Sequence, residues 1–174
     1  MQSGYDSNGS VEYVKKQPVW AFCLLSFLSF GLYTVYWFYK NWYFFRDLYE
    51  WDIYPIWRAI FDIFFVHTLL EQINDRAIEK GHPGISSNLW ATGYVVVSLL
   101  ARILDRTLPP SLAVLTVFLP PFLFLIPSVM QVNYLYEKAR PNEYQPTFSS
   151  GEYIVLALGG TLMGFVLISA LTAA

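Results

Sequence analysis

Charge is scarce in this chain. Asp, Glu, Lys and Arg together make up 14% of its 174 residues, where a soluble domain carries about 25%. A net charge of −2 excludes the basic face that nucleic acid requires. There is one cysteine, Cys23, so neither an intrachain disulfide nor a Cys-built metal or haem site is available. Inside an apolar run it reads as a small core residue. The two histidines, His67 and His82, stand in no metal-binding spacing. His67 reads as a core or interfacial hydrogen-bonding side chain and His82 as a solvated loop residue. Nucleophile elbows, phosphate-binding glycine loops and dinucleotide fingerprints are missing as well. No catalytic, cofactor-binding or metal-binding residue can therefore be named, and the chain reads as non-enzymatic.

What the chain has is apolar bulk: 55% of residues are hydrophobic and 19% aromatic. From Pro18 to Tyr39 there is no charge, and the run then meets Lys40 within an aromatic cluster. That pattern predicts a membrane-spanning helix with its aromatic anchor at a water interface. The run is too long and too aromatic for a cleaved leader, and no A-x-A site follows it. Residues 1–17 read as a flexible polar tail, and 18–174 as one helical transmembrane domain. The expected fold is all-α, a polytopic helical membrane protein. Spans are expected at about 18–39, 87–104, 111–134 and 153–173, with a short or interfacial helix over 55–73. Pro120, Pro121 and Pro127 must kink or break the span at 111–134.

Polar residues inside such a body attract notice. Arg58 and Asp62 lie four apart, on one face of a helix over 55–73, and can pair. An ionisable residue in a membrane segment is a functional hypothesis. Here it is a lipid-headgroup, ion or proton site, weighed against a structural ion pair. Gly160 and Gly164 form a GxxxG pair, read as packing within the chain or as a homodimer face. Ser149 and Glu152 have capping-box spacing. Gln72-x-Asn74 and Gln131-x-Asn133 each end an apolar run, and each is followed by a charged loop, a Ser-Ser pair and another span. They suggest two related units, 55–104 and 111–174, whose amides bridge helices. With five spans, Lys15, Lys16, Arg76, Lys80, Lys138 and Arg140 share one side and place the N-terminus in the cytoplasm. With four, the N-terminus lies outside.

The stretch Phe30 to Trp42, FGLYTVYWFYKNW, followed by PIWRAIF (Pro55 to Phe61) and the two Gln-x-Asn endings, resembles a group of small bacterial inner-membrane proteins. These share a domain of unknown function with a Gly-[Leu/Ile]-Tyr-x-x-Tyr-Trp signature. The resemblance runs from Gln17 to about Tyr136. It implies a multi-pass protein of the bacterial inner membrane and brings no activity with it. The expected function is that of an accessory or scaffold subunit. It would act through helix–helix contacts, in a homo-oligomer or a larger membrane complex, with membrane lipids as further partners and no cofactor. The alternative is a small lipid or ion transporter or channel acting as an oligomer, favoured by the Pro-broken span and the repeat.

Overall fold

The computed structural model describes residues 16–107, 120–140, 148 and 150–172. These residues are helical and contain no strand. In chain order the α-helices are α1 (Val19–Leu28), α2 (Leu32–Tyr49), α3 (Pro55–Ile60), α4 (Asp62–Glu79) and α5 (Ser87–Thr107). After a 3-10 turn over Pro121–Leu125 come α6 (Ile126–Ala139) and α7 (Ser150–Thr172). Residues 1–15, 108–119, 141–147, Ser149 and 173–174 lie outside the described residues. Most of the polar tail, the first part of the 111–134 span and the Ser149 half of the capping box lie there.

The uncharged run from Pro18 is not one helix. It divides at Ser29–Gly31 into a ten-residue helix and an eighteen-residue one. Two consecutive residues, Phe30 (φ 53°) and Gly31 (φ 87°), sit in the left-handed region. That region ends a right-handed helix and is natural only for glycine. Ser29, which closes α1, accepts with its Oγ the Tyr33 N–H in the first turn of α2 at 2.8 Å. Phe22 closes the elbow, packing edge-on against Tyr33 and Trp37 at centroid distances of 6.3 and 5.8 Å. A Cβ at Gly31 would meet nothing within 4 Å. Gly31→Ala is therefore expected to cost about 1–2 kcal/mol through backbone strain alone, read as a lowered unfolding midpoint in mild detergent.

A second break separates α3 from α4. Pro55 starts α3, where its missing N–H costs nothing. At Asp62 the carboxylate accepts its neighbour's N–H, from Ile63 at 2.7 Å. Such a local bond competes with the helical ladder; α3 stops at Ile60 and a new helix begins at Asp62. α4 and α5 form an antiparallel hairpin pinned along its length. Asp62 meets Tyr94, His67 Nε2 lies 3.2 Å from Thr92 Oγ1, and Asn74 accepts the Ile85 N–H. α6 follows the 3-10 turn with Pro127 in its first helical turn, so the prolines sit where a helix begins.

The core is aromatic and aliphatic: Phe22, Leu25, Phe38, Trp42, Phe45, Leu69, Leu70 and Leu125 are fully enclosed. The outer surface is also apolar. Leu32 is 73% exposed, Phe64 77% and Phe165 70%. Among the described residues one helix, Ser87–Thr107, is long and apolar enough to cross a membrane. Val19–Leu28 and Gly151–Phe165 are shorter apolar helices. The span expected at 18–39 is thus corrected to two helices and an elbow. That over 55–73 is corrected to α3, a break and an α4 whose later turns carry Glu71, Asp75, Arg76 and Glu79.

Candidate functional site

Arg58 and Asp62 do not pair. An i,i+4 ion pair needs an unbroken helix, and the break at Phe61 lies between them. The guanidinium of Arg58 instead lies over the rings of Trp42 and Phe65, at 4.5 and 5.2 Å from their centroids. Asp62 Oδ2 accepts the Tyr94 hydroxyl at 2.5 Å. A double-mutant cycle should find Arg58→Ala and Asp62→Ala additive to within about 0.5 kcal/mol. The same cycle on Asp62→Ala and Tyr94→Phe should show coupling of about 0.5–3 kcal/mol.

The four amides of the Gln-x-Asn endings take unlike positions. Asn74 Oδ1 accepts both the Gln131 side-chain amide and the Ile85 N–H, each at 2.8 Å. It thereby ties α4 to α6 and to the start of α5. Asn133 holds the backbone of Gln17 at both ends, accepting its N–H at 2.8 Å and donating to its carbonyl at 2.6 Å. Gln72 is half-buried and takes no part in these bonds. A two-fold relation between the units would pair Gln72 with Asn133 as Gln131 pairs with Asn74; Asn133 goes to Gln17 instead.

The glycine pair on α7 is also placed otherwise than expected within the chain. A Cβ on Gly160 or Gly164 would meet nothing within 4 Å among the described residues. Gly159, one position earlier, is the packing glycine: a Cβ there would strike the Leu28 carbonyl at the end of α1.

This close approach of α1 and α7 borders a cavity of about 520 Å³. One wall is the elbow and the start of α2: Leu28, Phe30, Leu32, Tyr33 and Tyr36. The facing wall is α7, with Glu152, Val155, Leu158 and Leu162. Its polar end is built from groups far apart in sequence. Glu152 Oε1 accepts the Tyr33 hydroxyl at 2.5 Å and the Gln17 side-chain amide at 3.2 Å. The same amide donates to the Tyr33 oxygen at 2.6 Å. Glu152 is 5% exposed. The groove is thus apolar along its length, with a carboxylate and two tyrosines near one end.

Gln17, Tyr33 and Glu152 were not singled out from the sequence as a site. One signal was present: Glu152 is the only acidic residue at the head of the uncharged run 153–173. The residues of the Gly-Leu-Tyr-x-x-Tyr-Trp stretch now have distinct positions. Gly31 makes the elbow, Tyr33 carries the buried hydrogen bond, Tyr36 lines the groove and Trp37 enters the core. Among the described residues no group of three or more His, Cys, Asp and Glu side chains could hold a metal ion. The fold and groove define an all-helical protein with an apolar exterior and a polar-ended groove. Comparison with protein-family models, curated proteins and solved structures brought no match.

Proposed function

We propose that this is a non-enzymatic, multi-pass helical protein of the bacterial inner membrane. It works as an accessory or scaffold subunit through helix–helix contacts. The observation that carries the reading is the distribution of side chains. Large apolar groups such as Trp20, Leu32, Phe64, Leu89 and Phe165 are more than half exposed, while Asn74, Gln131 and Glu152 are buried. Water disfavours that outer surface; lipid does not, and in lipid the interior amides hold helices together.

The face of α7 around Gly160 and Gly164 supports contact with another helix, since among the described residues nothing lies within 4 Å of a Cβ built at either position. Small residues there let a second backbone approach. The test is native mass spectrometry of protein extracted gently from its own membrane. A stoichiometric protein partner or a defined homo-oligomer is expected, and Gly160→Val should remove it while leaving the unfolding midpoint unchanged. A monomer in both proteins overturns the accessory reading.

A further inference from the structure

We propose that Arg58 seats a phospholipid of the surrounding bilayer. Its guanidinium holds the lipid's phosphate while an acyl chain lies along the apolar face of α3 and the first turn of α4. The inference rests on the membrane reading above and adds a ligand class and a site to it.

The guanidinium is held in place but has no acceptor. It lies over Trp42 and Phe65, 4.5 and 5.2 Å from their ring centroids. Trp42 is fully enclosed, so one wall of this seat belongs to the packed core. Rings engage the face of a guanidinium and leave the N–H donors on its edge unused. Arg58 is half-buried and makes neither an ion pair nor a hydrogen bond among the described residues.

The carboxylates of this end are engaged elsewhere or lie apart from it. Asp47 pairs with Arg46 at 2.7 Å. Asp62 accepts the Tyr94 hydroxyl on one oxygen and the Ile63 N–H on the other, and the cation that acts on it is Arg102. Glu50 and Asp52, between α2 and α3, are exposed, and neither forms an ion pair with Arg58. What the guanidinium lacks is an acceptor with two oxygens side by side. A phosphate is that acceptor, and its fit to the planar fork is bidentate.

The surroundings make the phosphate a lipid's. Ile56, Trp57, Ile60, Phe61 and Phe64 flank Arg58 in the chain, and each is about half exposed or more. Trp57 and Phe61 stack on one another at 6.2 Å, a flat apolar shelf next to Arg58. A free phosphate ion gains nothing from that shelf. A hydrocarbon chain asks for no hydrogen bond and can lie on it. Depth agrees with this. α2 runs out through Tyr43, Arg46, Asp47, Tyr49 and Glu50, charges interleaved with aromatic rings as at headgroup level. Pro55 starts α3 five residues later.

The experiment titrates the full chain in mild detergent with three probes. They are dioleoyl phosphatidylglycerol, dioleoylglycerol, which has the same chains and no phosphate, and inorganic phosphate. Native mass spectrometry counts the lipid retained, and the unfolding midpoint is read in parallel. One phosphatidylglycerol per chain is expected, retained about tenfold more strongly than dioleoylglycerol. It should raise the midpoint, whereas inorganic phosphate at the same concentration should not. Arg58→Lys keeps a cation over the rings and loses the fork; phosphatidylglycerol retention should fall by about tenfold. Phe64 is 77% exposed. Phe64→Ala should weaken retention and leave the lipid-free midpoint at the wild-type value, a readout that stands even if Arg58→Lys fails to fold. Arg102→Lys, at the exposed cation that acts on Asp62, should leave retention unchanged. Equal retention of the two lipids overturns the proposal, as does retention unaltered by Arg58→Lys or by Phe64→Ala. Retention lowered as far by Arg102→Lys also overturns it, since general attraction of charge would then be the cause. Inorganic phosphate that raises the midpoint as far as the lipid makes a free ion the ligand and overturns it too. Carbonate washing of native membranes separates the two readings. Protein released by the wash defeats the membrane reading, whereas protein that stays bound but shows no preference for the phosphate-bearing lipid defeats the Arg58 site alone.

Discussion

Trp42→Ala is expected to cost about 3–5 kcal/mol, a large part of the roughly 5–15 kcal/mol that holds a domain together. The indole is fully enclosed. It packs edge-on against Phe65 at 6.4 Å, and the Arg58 guanidinium rests on its face at 4.5 Å. Truncation leaves a cavity between α2 and α4 and takes from Arg58 a ring that a cation prefers. The same indole carries a weakness: its N–H is buried and finds no acceptor among the described residues. Trp42→Phe keeps a ring under the guanidinium and removes that orphan donor. It is expected to show roughly half of the alanine loss. Unfolding midpoints of the two variants in one detergent give the comparison. Equal losses would show that Arg58 stacking and the orphan donor contribute nothing.

Gly159→Val and Gly160→Val are expected to have opposite outcomes although the residues are adjacent. At 159 the new side chain meets a backbone carbonyl, that of Leu28, which cannot rotate aside. α1 and α7 must part, at about 1–3 kcal/mol for the overpacking, and the groove beside them loses its shape. At 160 the side chain meets nothing within 4 Å among the described residues, and the fold is expected to keep its stability. Thermal unfolding of both variants decides the matter. A stable Gly159→Val would mean that α1 does not seat against α7 at Leu28.

The helical character of the chain was legible from its long uncharged runs. The elbow was not. A single glycine in an apolar run is ordinary. What bends the chain is Phe30 joining Gly31 at positive φ, a bend that lets Phe22 of α1 pack across the elbow on Tyr33 and Trp37 of α2. The Arg58–Asp62 spacing was legible, but spacing implies contact only along a continuous helix. The bond from Ile63 to Asp62 that accompanies the break is a local competition, invisible to periodicity. Glu152 was read as half of a capping box because its neighbours in sequence suggest that. Its partners Gln17 and Tyr33 stand 135 and 119 residues away, and no local pattern reports such a meeting. The groove was hidden for the same reason: one wall comes from the first quarter of the chain and the other from the last.

That separation sets an order of events during synthesis. Gln17 is fastened by Asn133, 116 residues later, and Tyr33 by Glu152 later still. At about 5–20 residues per second, the ribosome needs on the order of ten seconds between them. For that interval α1 can pack on α2 through Phe22, but the face it turns to α6 and α7 has no partner and is open to whatever stands nearby. A ribosome stalled before residue 133 would present a first helix still accessible to proteases and crosslinkers; one stalled after α7 would not.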